Sequence, residues 1–573
     1  LGIPEAVKGL MSYEAGRGRY YERPWTILAD HRSLRWLKRA ETTPHTVVEW
    51  SGGEVPGDEQ AKVLALVRAG SLVAPHWGQL PPRCCVAAWF GRDESAPHTL
   101  RRHIRRPATI CFSSDEDTIE RLRLFSDDVL EAEEGPHLLE KALAFANNRL
   151  FYTATRDESL RRRQPPEAYT PRRRAIRVLL QADVFAQGGM EKVMLDLAHC
   201  LRERGLEPSL LVLGQSGPAG REARAAGLEL LSLPPHPTGG QYARLLEDND
   251  ISIVSAHHSL FGAEVAREMG VPFVQTMHNT YVWFSAQEIE AYRNADPHTC
   301  AYVCVSSNVA FYSDVRLELP PAKMVVLPNG IDTEKLRRPP GDAASVRQRM
   351  CRQWGVDEED FIFLNVASTY PPKAQRFIVN AMAEVVREHP RTRVVFVGSE
   401  MDRQYASEVR QAVADNSLAE HVVFASPQDD VSAFYWAADA FLLPSFWEGC
   451  SLAMAEAVCA GLPVVASKVG AAEEQVFGTG PQLIDPPFES ITDLDAVRIY
   501  DYLNEDLPDY VHSLAEAMKR IRRGGGRLDV PDDVLKRLDR TYAYAGYARL
   551  FGWLVQGGTP AAARPWLRST GYC

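Results

Sequence analysis

The stretch "DAFLLPSFWEGCSLAMAEAVCAGLPVVAS", residues 439–467, indicates which fold the chain adopts. Two apolar runs, "DAFLLPS" and "LPVVAS", flank a segment in which Ser451 can cap the first turn of a helix and Gly461 can follow its last turn. Apolar strands that alternate with helices are typical of parallel sheets covered by helices on both faces. The stretch therefore predicts a strand–helix–strand unit of a parallel α/β domain.

The same alternation of strands and helices occurs in two series along the chain. The first series contains the apolar runs "AIRVLLQAD", "PSLLVLG", "ISIVSAHH", "VPFVQTMHN" and "AYVCVSS". The second follows "VLPNGID" and contains "FIFLNVAS", "TRVVFVGS" and "HVVFAS" before the stretch quoted above. Two such series predict an α/β fold with two doubly wound, Rossmann-like domains that face each other across a cleft. Ligands of such sheets bind at the carboxyl ends of the strands.

The composition divides the chain into successive segments. Residues 1–155 contain the runs "WTILAD", "HTVVEW", "SLVAPHW", "CVAAWFG" and "ATICFSS", which predict an additional small α/β domain whose role the sequence does not indicate. Residues 156–174 are rich in arginine and proline and predict an exposed linker. This linker is either a solvated connector or a docking site for an anionic membrane or polymer. The two Rossmann-like domains then occupy residues 175–335 and 336–530.

Net charge and cysteine spacing argue against several classes of protein. A net charge of −11 over 573 residues argues against a protein that binds nucleic acid. The ten cysteines form neither paired metal-ligand spacings nor a disulfide framework, so we expect no metal site and reduced thiols in the cytoplasm. No apolar run reaches the roughly 18 residues of a membrane helix. Residue 1 is leucine rather than methionine, which is compatible with a piece of a longer polypeptide or a complex.

Two glutamates stand out in the quoted stretch because they lie eight positions apart. On one helix Glu448 and Glu456 would be about 12 Å apart along the axis, which is too far for two acids that share a proton. If the helix begins after Ser451, Glu448 lies in the loop before it and Glu456 lies inside it. The free N–H groups of Cys450, Ser451 and Leu452 are then available for a diphosphate. The structural alternative is that Glu448 favours the helix dipole and Glu456 faces solvent.

A glycine pair, Gly188 and Gly189, lies between the first strand of the first series and the helix that follows. Glycines at such a turn let the backbone approach a ligand, and a helix N-terminus attracts phosphate. A tight turn without a ligand is an equally good interpretation of the pair alone. The pattern is not the dinucleotide fingerprint, because the third glycine is missing.

The segments "GGMEKVMLDLA", "TMHN", "VLPNGID" and "VASTYPPKAQ" precede the quoted stretch in one order. Together they resemble the retaining glycosyltransferases of family 4, which have the GT-B fold. The resemblance covers about residues 175–520, and residues 437–474 are its most specific part. It implies that residues 336–530 bind a nucleoside-diphosphate sugar, a UDP or GDP sugar, as the donor substrate and that residues 175–335 bind the acceptor. It also implies that residues 531–573 form a helical segment that crosses back to the acceptor domain, and that no further cofactor is needed.

The resemblance implies a role for each candidate residue. Glu456 would bind the ribose, and Glu448 would lie near the donor sugar and its phosphate. Lys373 would pair with the diphosphate, over which the two glycines close. His278, at the end of "VPFVQTMHN", would face the donor sugar from the first domain.

The sequence departs from the family pattern around Lys373. The family usually has an arginine five or six residues before this lysine and a glycine directly after it. Here Ala367 or Ser368 stands at the first position and Ala374 at the second. Arg376 and Lys468 are the nearby candidates for the missing phosphate-binding cation.

The resemblance also implies a mechanism and a cellular setting. Because the family pattern supplies no carboxylate nucleophile, the implied route is front-face substitution without a metal ion, with retention of configuration. The expected partners are the nucleotide sugar and a glycan or lipid-linked acceptor of polysaccharide or glycolipid synthesis, with peripheral contact to the cytoplasmic face of a membrane. The alternatives are a catalytically silent GT-B-like subunit that binds glycans or a partner, and a sugar-nucleotide epimerase or hydrolase.

Overall fold

The chain separates into two compact units, Leu1–Ala168 and Tyr169–Cys573. The computed structural model describes six strands in the first unit. In the second it describes residues 175–563, apart from 187, 215, 235, 429, 477–478, 480–481 and 525. The predicted linker at 156–174 therefore lies outside the described residues.

The first unit contains one sheet in which neighbouring strands run parallel, in the order β2-β1-β3-β4-β5-β6. Its strands are β1 (Thr26–Ala29), β2 (Thr46–Glu49), β3 (Val63–Arg68), β4 (Cys85–Phe90), β5 (Thr109–Ser113) and β6 (Asp128–Glu131). Parallel neighbours need crossover connections, so this order is typical of an α/β domain. Four of the five predicted apolar runs are strands here, β3 and β6 are additional, and "SLVAPHW" lies outside the described residues.

The second unit begins with a seven-stranded parallel sheet in the order β13-β12-β11-β10-β7-β8-β9. Its strands are β7 (Arg177–Ala182), β8 (Glu207–Val212), β9 (Glu229–Leu231), β10 (Ile253–His257), β11 (Phe273–Met277), β12 (Ala301–Cys304) and β13 (Met324–Val326). Its helices are α1 (Gly189–Glu203), α2 (Pro218–Ala225), α3 (Gly239–Asp248), α4 (Ala263–Glu268), α5 (Ala286–Ala295) and α6 (Ser307–Val315).

A six-stranded parallel sheet follows in the order β16-β15-β14-β17-β18-β19. Its strands are β14 (Phe361–Val366), β15 (Thr392–Val397), β16 (Val422–Ala425), β17 (Ala440–Leu443), β18 (Val464–Ser467) and β19 (Gln482–Ile484). Its helices are α7 (Thr333–Leu336), α8 (Ala343–Trp354), α9 (Gln375–Glu388), α10 (Arg403–Asp415), α11 (Ser432–Ala437), α12 (Leu452–Cys459), α13 (Ala472–Gln475), α14 (Ala496–Asn504) and α15 (Pro508–Gly524).

In the second unit, the seven-stranded sheet is called the first sheet below and the six-stranded sheet the second sheet. The strand order reverses at one point in each, between β7 and β10 in the first sheet and between β14 and β17 in the second. Loops that leave adjacent strands on opposite sides of such a reversal open a crevice at the carboxyl edge of the sheet. The loop after β14 contains Lys373, and the loop after β17 contains Glu448. Gly188 follows β7, and His257 ends β10. The candidate residues of both sheets are thus gathered at the places where ligands of open α/β sheets bind.

Two further helices, α16 (Asp532–Leu538) and α17 (Arg540–Val555), complete the described chain. Helix α17 packs on α1, and its Tyr547 and Phe551 are fully buried in the core of the first sheet. Helix α16 does not cross back, because Val534 and Leu538 are buried in the core of the second sheet. The chain therefore returns to the first sheet only at residue 539, not at 531. Extended backbone at Asp539, which caps α17, separates the two helices.

The two segments that connect the sheets lie side by side. Ile331 accepts a hydrogen bond from Arg540 N–H at 2.8 Å and donates one to Leu538 O at 2.8 Å. A Cβ atom at Gly330 would lie 2.4 Å from Arg540 Cα, so a side chain at this position would push the segments apart. Arg540 also forms ion pairs with Asp196 at 2.6 Å and Asp332 at 2.8 Å. The two segments that cross between the sheets are therefore hydrogen-bonded to each other and run side by side.

None of the described helices combines the length and apolar character needed to cross a bilayer. The six cysteines within residues 175–563 are free thiols, namely Cys200, Cys300, Cys304, Cys351, Cys450 and Cys459.

Candidate functional site

The loop after β17 and the start of α12 form the centre of the candidate site. Ser451 is the N-cap of α12, and its hydroxyl accepts a hydrogen bond from Met454 N–H at 3.3 Å, which confirms the predicted cap. No backbone carbonyl among the described residues accepts a hydrogen bond from the N–H groups of Cys450, Ser451 or Leu452. Asn329, from "VLPNGID", donates its side-chain N–H to Cys450 O at 3.0 Å and fixes the loop. The loop before α12 is therefore held in place, and the N-terminus of this helix is the part of the site that can bind an anion.

Glu448 lies in this loop and forms an ion pair with Lys373. The lysine Nζ lies 2.6 Å from Glu448 Oε1, which also accepts a hydrogen bond from Ser445 Oγ at 2.8 Å. The Glu448 side chain is 11% exposed and that of Lys373 26% exposed. A buried carboxylate needs such partners, since isolated burial of its charge is costly. Glu448 is thus a positioned carboxylate next to a cation, rather than a solvated helix-end charge.

Glu456 lies inside α12 and is also buried, so the alternative of a solvent-facing glutamate is wrong. Its Oε1 lies 2.6 Å from Lys192 Nζ of α1, and its Oε2 accepts a hydrogen bond from Tyr435 OH at 2.9 Å. Burial lowers the pKa of Lys192, but the charge and hydrogen bond of Glu456 outweigh it and raise this pKa. Each carboxylate oxygen keeps lone pairs for further donors, such as ribose hydroxyls.

His278 follows β11 and forms a hydrogen-bonded pair with His257. His278 Nε2 lies 2.7 Å from His257 Nδ1, and Ser255 Oγ lies 3.3 Å from His257 Nε2. Burial lowers the pKa of His257 to about 3 and that of His278 well below its usual range. Burial also lowers the pKa of His258, whose ring stacks on His278, to about 4. The histidines are therefore neutral at pH 7 and act as hydrogen-bonding groups rather than charges.

The two sheets approach each other closely at His278. A Cβ atom at Gly449 would lie 1.8 Å from the carbonyl oxygen of His278, so this contact requires glycine. The backbone of His258 and of Tyr281 has positive φ, at 55° and 50°, and Tyr281 OH accepts a hydrogen bond from His278 N–H at 2.9 Å. Non-glycine residues in this conformation cost about 1–3 kcal/mol and cluster at functional sites. The loop that contains Glu448 is thereby brought against the predicted sugar-facing histidine.

The glycine pair is exposed at the start of α1. Gly188 has extended backbone, and a Cβ atom there would lie 3.0 Å from Glu191 Oε2. Glu191 Oε1 in turn accepts a hydrogen bond from Ala186 N–H at 3.1 Å and ties the loop to the helix. No described atom lies near a Cβ atom built at Gly189. The closure of Gly188 and Gly189 over a diphosphate stays a prediction.

Neither candidate for the missing cation lies free at the site. Arg376 donates to the carbonyl oxygens of Leu503 at 2.9 Å and Glu505 at 2.7 Å. Lys468 pairs with Asp485 at 2.9 Å. Both cations hold other parts of the second sheet's domain. Ser368 has no charge to supply, and Ala374 adopts positive φ, 61°, where the family has glycine.

Several residues that complete the site were not predicted from the sequence, namely Lys192, Tyr435, Ser445 and His257. A signal for Lys192 was present, because a cation in the first turn of a helix opposes the helix dipole and needs an anionic partner. The others had no local signal, because their partners lie on other elements.

Comparisons with known proteins agree with this architecture. Residues 187–335 match the family model described as Glycosyltransferase Family 4, and residues 360–487 match the model described as Glycosyl transferases group 1. Two solved structures share the fold. One is Anabaena Alr3699/HepE in complex with UDP, at a TM-score of 0.51 and 19% identity over 65% of this chain and 99% of that chain. The other is a glycosyltransferase from Rickettsia africae ESF-5, at a TM-score of 0.52 and 16% identity over 66% of this chain and 98% of that chain.

Three curated relatives are similar in sequence. A GDP-mannose-dependent alpha-(1-6)-phosphatidylinositol monomannoside mannosyltransferase of Mycolicibacterium smegmatis is 27% identical over 47% of this chain and 70% of its own length. A UDP-Gal:alpha-D-GlcNAc-diphosphoundecaprenol alpha-1,3-galactosyltransferase of Escherichia coli is 26% identical over 39% of this chain and 60% of its own length. A D-inositol 3-phosphate glycosyltransferase of Segniliparus rotundus is 34% identical over 28% of this chain and 35% of its own length. The chain thus spans less than two thirds of the second and third relatives. Residues 187–335 and 360–487 are therefore similar to glycosyltransferase domains of family 4 and group 1, and the two parallel sheets that contain them form the GT-B fold.

Proposed function

We propose that the protein transfers a sugar from a nucleoside-diphosphate sugar to a glycan or lipid-linked acceptor in polysaccharide or glycolipid synthesis. The observation that carries this proposal is the arrangement of Glu448 and Glu456, each held by its own lysine beside the open N-terminus of α12. The similar mannosyltransferase and galactosyltransferase, whose names specify GDP-mannose and UDP-Gal donors and lipid acceptors, support this class of substrates.

The geometry supports a division of labour around the donor. The diphosphate lies against the N–H groups of Cys450, Ser451 and Leu452 and against Lys373, and these donors stabilise the negative charge that develops as the sugar leaves. Glu456 accepts hydrogen bonds from the ribose. Glu448, beside Lys373, lies next to the bond that breaks.

The proposed step is a front-face substitution with retention of configuration. The bond between the anomeric carbon and the diphosphate oxygen breaks, and the acceptor oxygen bonds to the same face of that carbon. The acceptor's proton passes to the leaving phosphate, so atoms and charge balance without a metal ion. NMR of the product's anomeric configuration tests retention, and activity after treatment with EDTA tests metal independence.

A thermal-shift screen of nucleotides and nucleotide sugars tests the proposal and identifies the base. A donor present at 100 times its dissociation constant adds about 2.7 kcal/mol to the free energy of unfolding. The screen is followed by transfer assays with lipid-linked and oligosaccharide acceptors. Donor turnover without any acceptor would instead indicate an epimerase or hydrolase, and nucleotide binding without turnover would indicate a silent subunit.

We propose further that the protein acts at the cytoplasmic face of a membrane, since two similar proteins are named for lipid acceptors. Co-sedimentation of the full chain with anionic vesicles, compared with neutral vesicles, tests this contact. Equal recovery from both would contradict an electrostatic membrane contact.

A further inference from the structure

The second sheet's domain supplies one cation to the candidate diphosphate site, where the family pattern has two. Lys373 is in place beside Glu448. Ser368 stands where an arginine is expected, and Arg376 and Lys468 are held by Leu503, Glu505 and Asp485. A donor that carries two phosphates therefore meets a site with less positive charge than the pattern implies.

Lys192, from the first sheet's domain, contacts α12, the helix whose N-terminus belongs to this candidate site. It lies in the first turn of α1, a 15-residue helix, three residues after Gly189. Its ammonium lies 2.6 Å from Glu456, the predicted ribose ligand, while its side chain is still 52% exposed. An ammonium has three N–H donors, so the contact with Glu456 leaves others for a ligand in the cleft.

The charges at the site are balanced before a ligand enters. Lys192 neutralises Glu456, and Lys373 neutralises Glu448, as the two ion pairs show. Ribose hydroxyls that donate to Glu456 stabilise the carboxylate in part and make the ammonium available to an anion. The phosphate adjacent to the ribose is the anion that such a donor brings nearest to Glu456.

We propose that Lys192 is the second diphosphate-binding cation, contributed by the first sheet's domain, and that it replaces the arginine missing near Ser368. Lys192 contacts the phosphate next to the ribose while Glu456 holds the ribose hydroxyls. The ion pair across the cleft thereby becomes a donor-binding contact that draws the two sheets together. This inference rests on the proposed function, because it assumes a nucleoside-diphosphate donor.

A series of ligands with no, one and two phosphates tests the inference. Isothermal titration measures the affinity of the full chain for uridine, UMP and UDP, and for guanosine, GMP and GDP. The variants are Lys192→Gln, which removes the charge, and Lys192→Arg, which keeps it. Lys335→Gln is the matched control, because Lys335 is also 52% exposed and pairs with a carboxylate, that of Asp430 at 3.1 Å.

We expect Lys192→Gln to weaken binding of the diphosphate by about tenfold or more and binding of the nucleoside by much less, since a hydrogen bond to a charged group is lost only when phosphate is present. Lys192→Arg should keep most of the affinity, and Lys335→Gln should match the wild type. Equal losses of affinity for the nucleoside and the diphosphate would overturn the inference, because Lys192 would then act only through Glu456. Unchanged affinity for the diphosphate would also overturn it. A wild-type protein that binds no nucleoside diphosphate, in this series or in the thermal-shift screen, would overturn the proposed function itself.

Discussion

At the scale of single residues, the site contains two buried acids in different surroundings. Glu448 contacts Lys373 and Ser445, all three belonging to the second sheet's domain. Glu456 contacts Tyr435 of that domain and Lys192 of the other. Glu448 is thus fixed within the second sheet's domain, whereas Glu456 joins the two domains. This difference predicts different kinetic effects for their replacement.

Replacing Glu456 should weaken donor binding. We expect Glu456→Ala to raise the Michaelis constant for the donor by an amount equivalent to about 2 kcal/mol, because hydrogen bonds to a charged acceptor are lost. Steady-state kinetics measures the effect, and Tyr435→Phe, which removes one donor to Glu456 but keeps the carboxylate, should have a smaller one. Unchanged donor affinity in a folded Glu456→Ala protein would rule out the ribose role.

Replacing Glu448 should slow the chemical step. Glu448→Gln keeps the shape of the side chain and removes its charge beside Lys373. We expect kcat to fall about a hundredfold, or about 2.7 kcal/mol, with little change in the Michaelis constant, since the interaction is made mainly in the transition state. A variant that melts slightly earlier yet turns over at the wild-type rate would leave Glu448 with a structural role alone.

The buried pair of histidines predicts a dependence of stability on pH. Unfolded His257 takes up a proton near its ordinary pKa of about 6.5, whereas burial lowers the pKa of the folded residue to about 3. Stability therefore falls as the pH falls below about 6.5, by about 1.4 kcal/mol per pH unit from this residue. His257→Gln should make the plot of unfolding free energy against pH shallower by that amount between about pH 6 and pH 4. Urea unfolding at several pH values measures the slope, and an unchanged slope would contradict a neutral, buried His257.

At the scale of elements, α17 returns to the first sheet although it follows the second in sequence. Its aromatic residues fill the core beneath β7, where Phe551 is fully buried. We expect Phe551→Ala to lower the free energy of unfolding by about 3–5 kcal/mol, the usual cost of emptying such a site. Val497→Ala on α14, where the side chain is 71% exposed, should change it by about 0.5 kcal/mol or less. Similar urea midpoints for the two variants would contradict the packing of α17.

At the scale of the whole molecule, the contact between Gly449 and the His278 carbonyl sets how closely the two sheets approach. Gly449→Ala places a methyl group in that contact and should hold the sheets apart. We expect kcat/KM to fall about a hundredfold, since a displacement near 1 Å of reacting groups has that effect. Nucleoside binding should change little, because Glu456 and α12 belong to the second sheet's domain. Gly524→Ala, where no described atom lies near the added methyl group, is the control; equal activity of the two variants would contradict this close approach.

Local patterns in the sequence predicted the parts of the molecule that depend on neighbouring residues. Apolar runs indicated the strands of both sheets except the three-residue strands β9, β13 and β19, and the spacing of Ser451, Gly461 and the apolar residues between them indicated α12. The types of residue at the carboxyl ends of the strands, above all Glu448, Glu456, Lys373 and His278, followed from the same patterns and from the family resemblance. The one boundary that local pattern misjudged is the crossing at residue 539, because α16 and α17 have similar helical spacing and differ only in which core they pack against.

The order of most strands and helices, the capped helix and the presence of two acids in one short stretch follow from the sequence, since these depend on periodicity and on contacts a few residues apart. Which cation meets which acid depends on the tertiary structure. Lys373 and Glu448 are 75 residues apart in the chain, and Lys192 and Glu456 are 264 apart. Such pairs form because the strand order of each sheet and the docking of the two sheets bring distant loops to one cleft. The pairing is a property of that arrangement, and no spacing within the sequence encodes it.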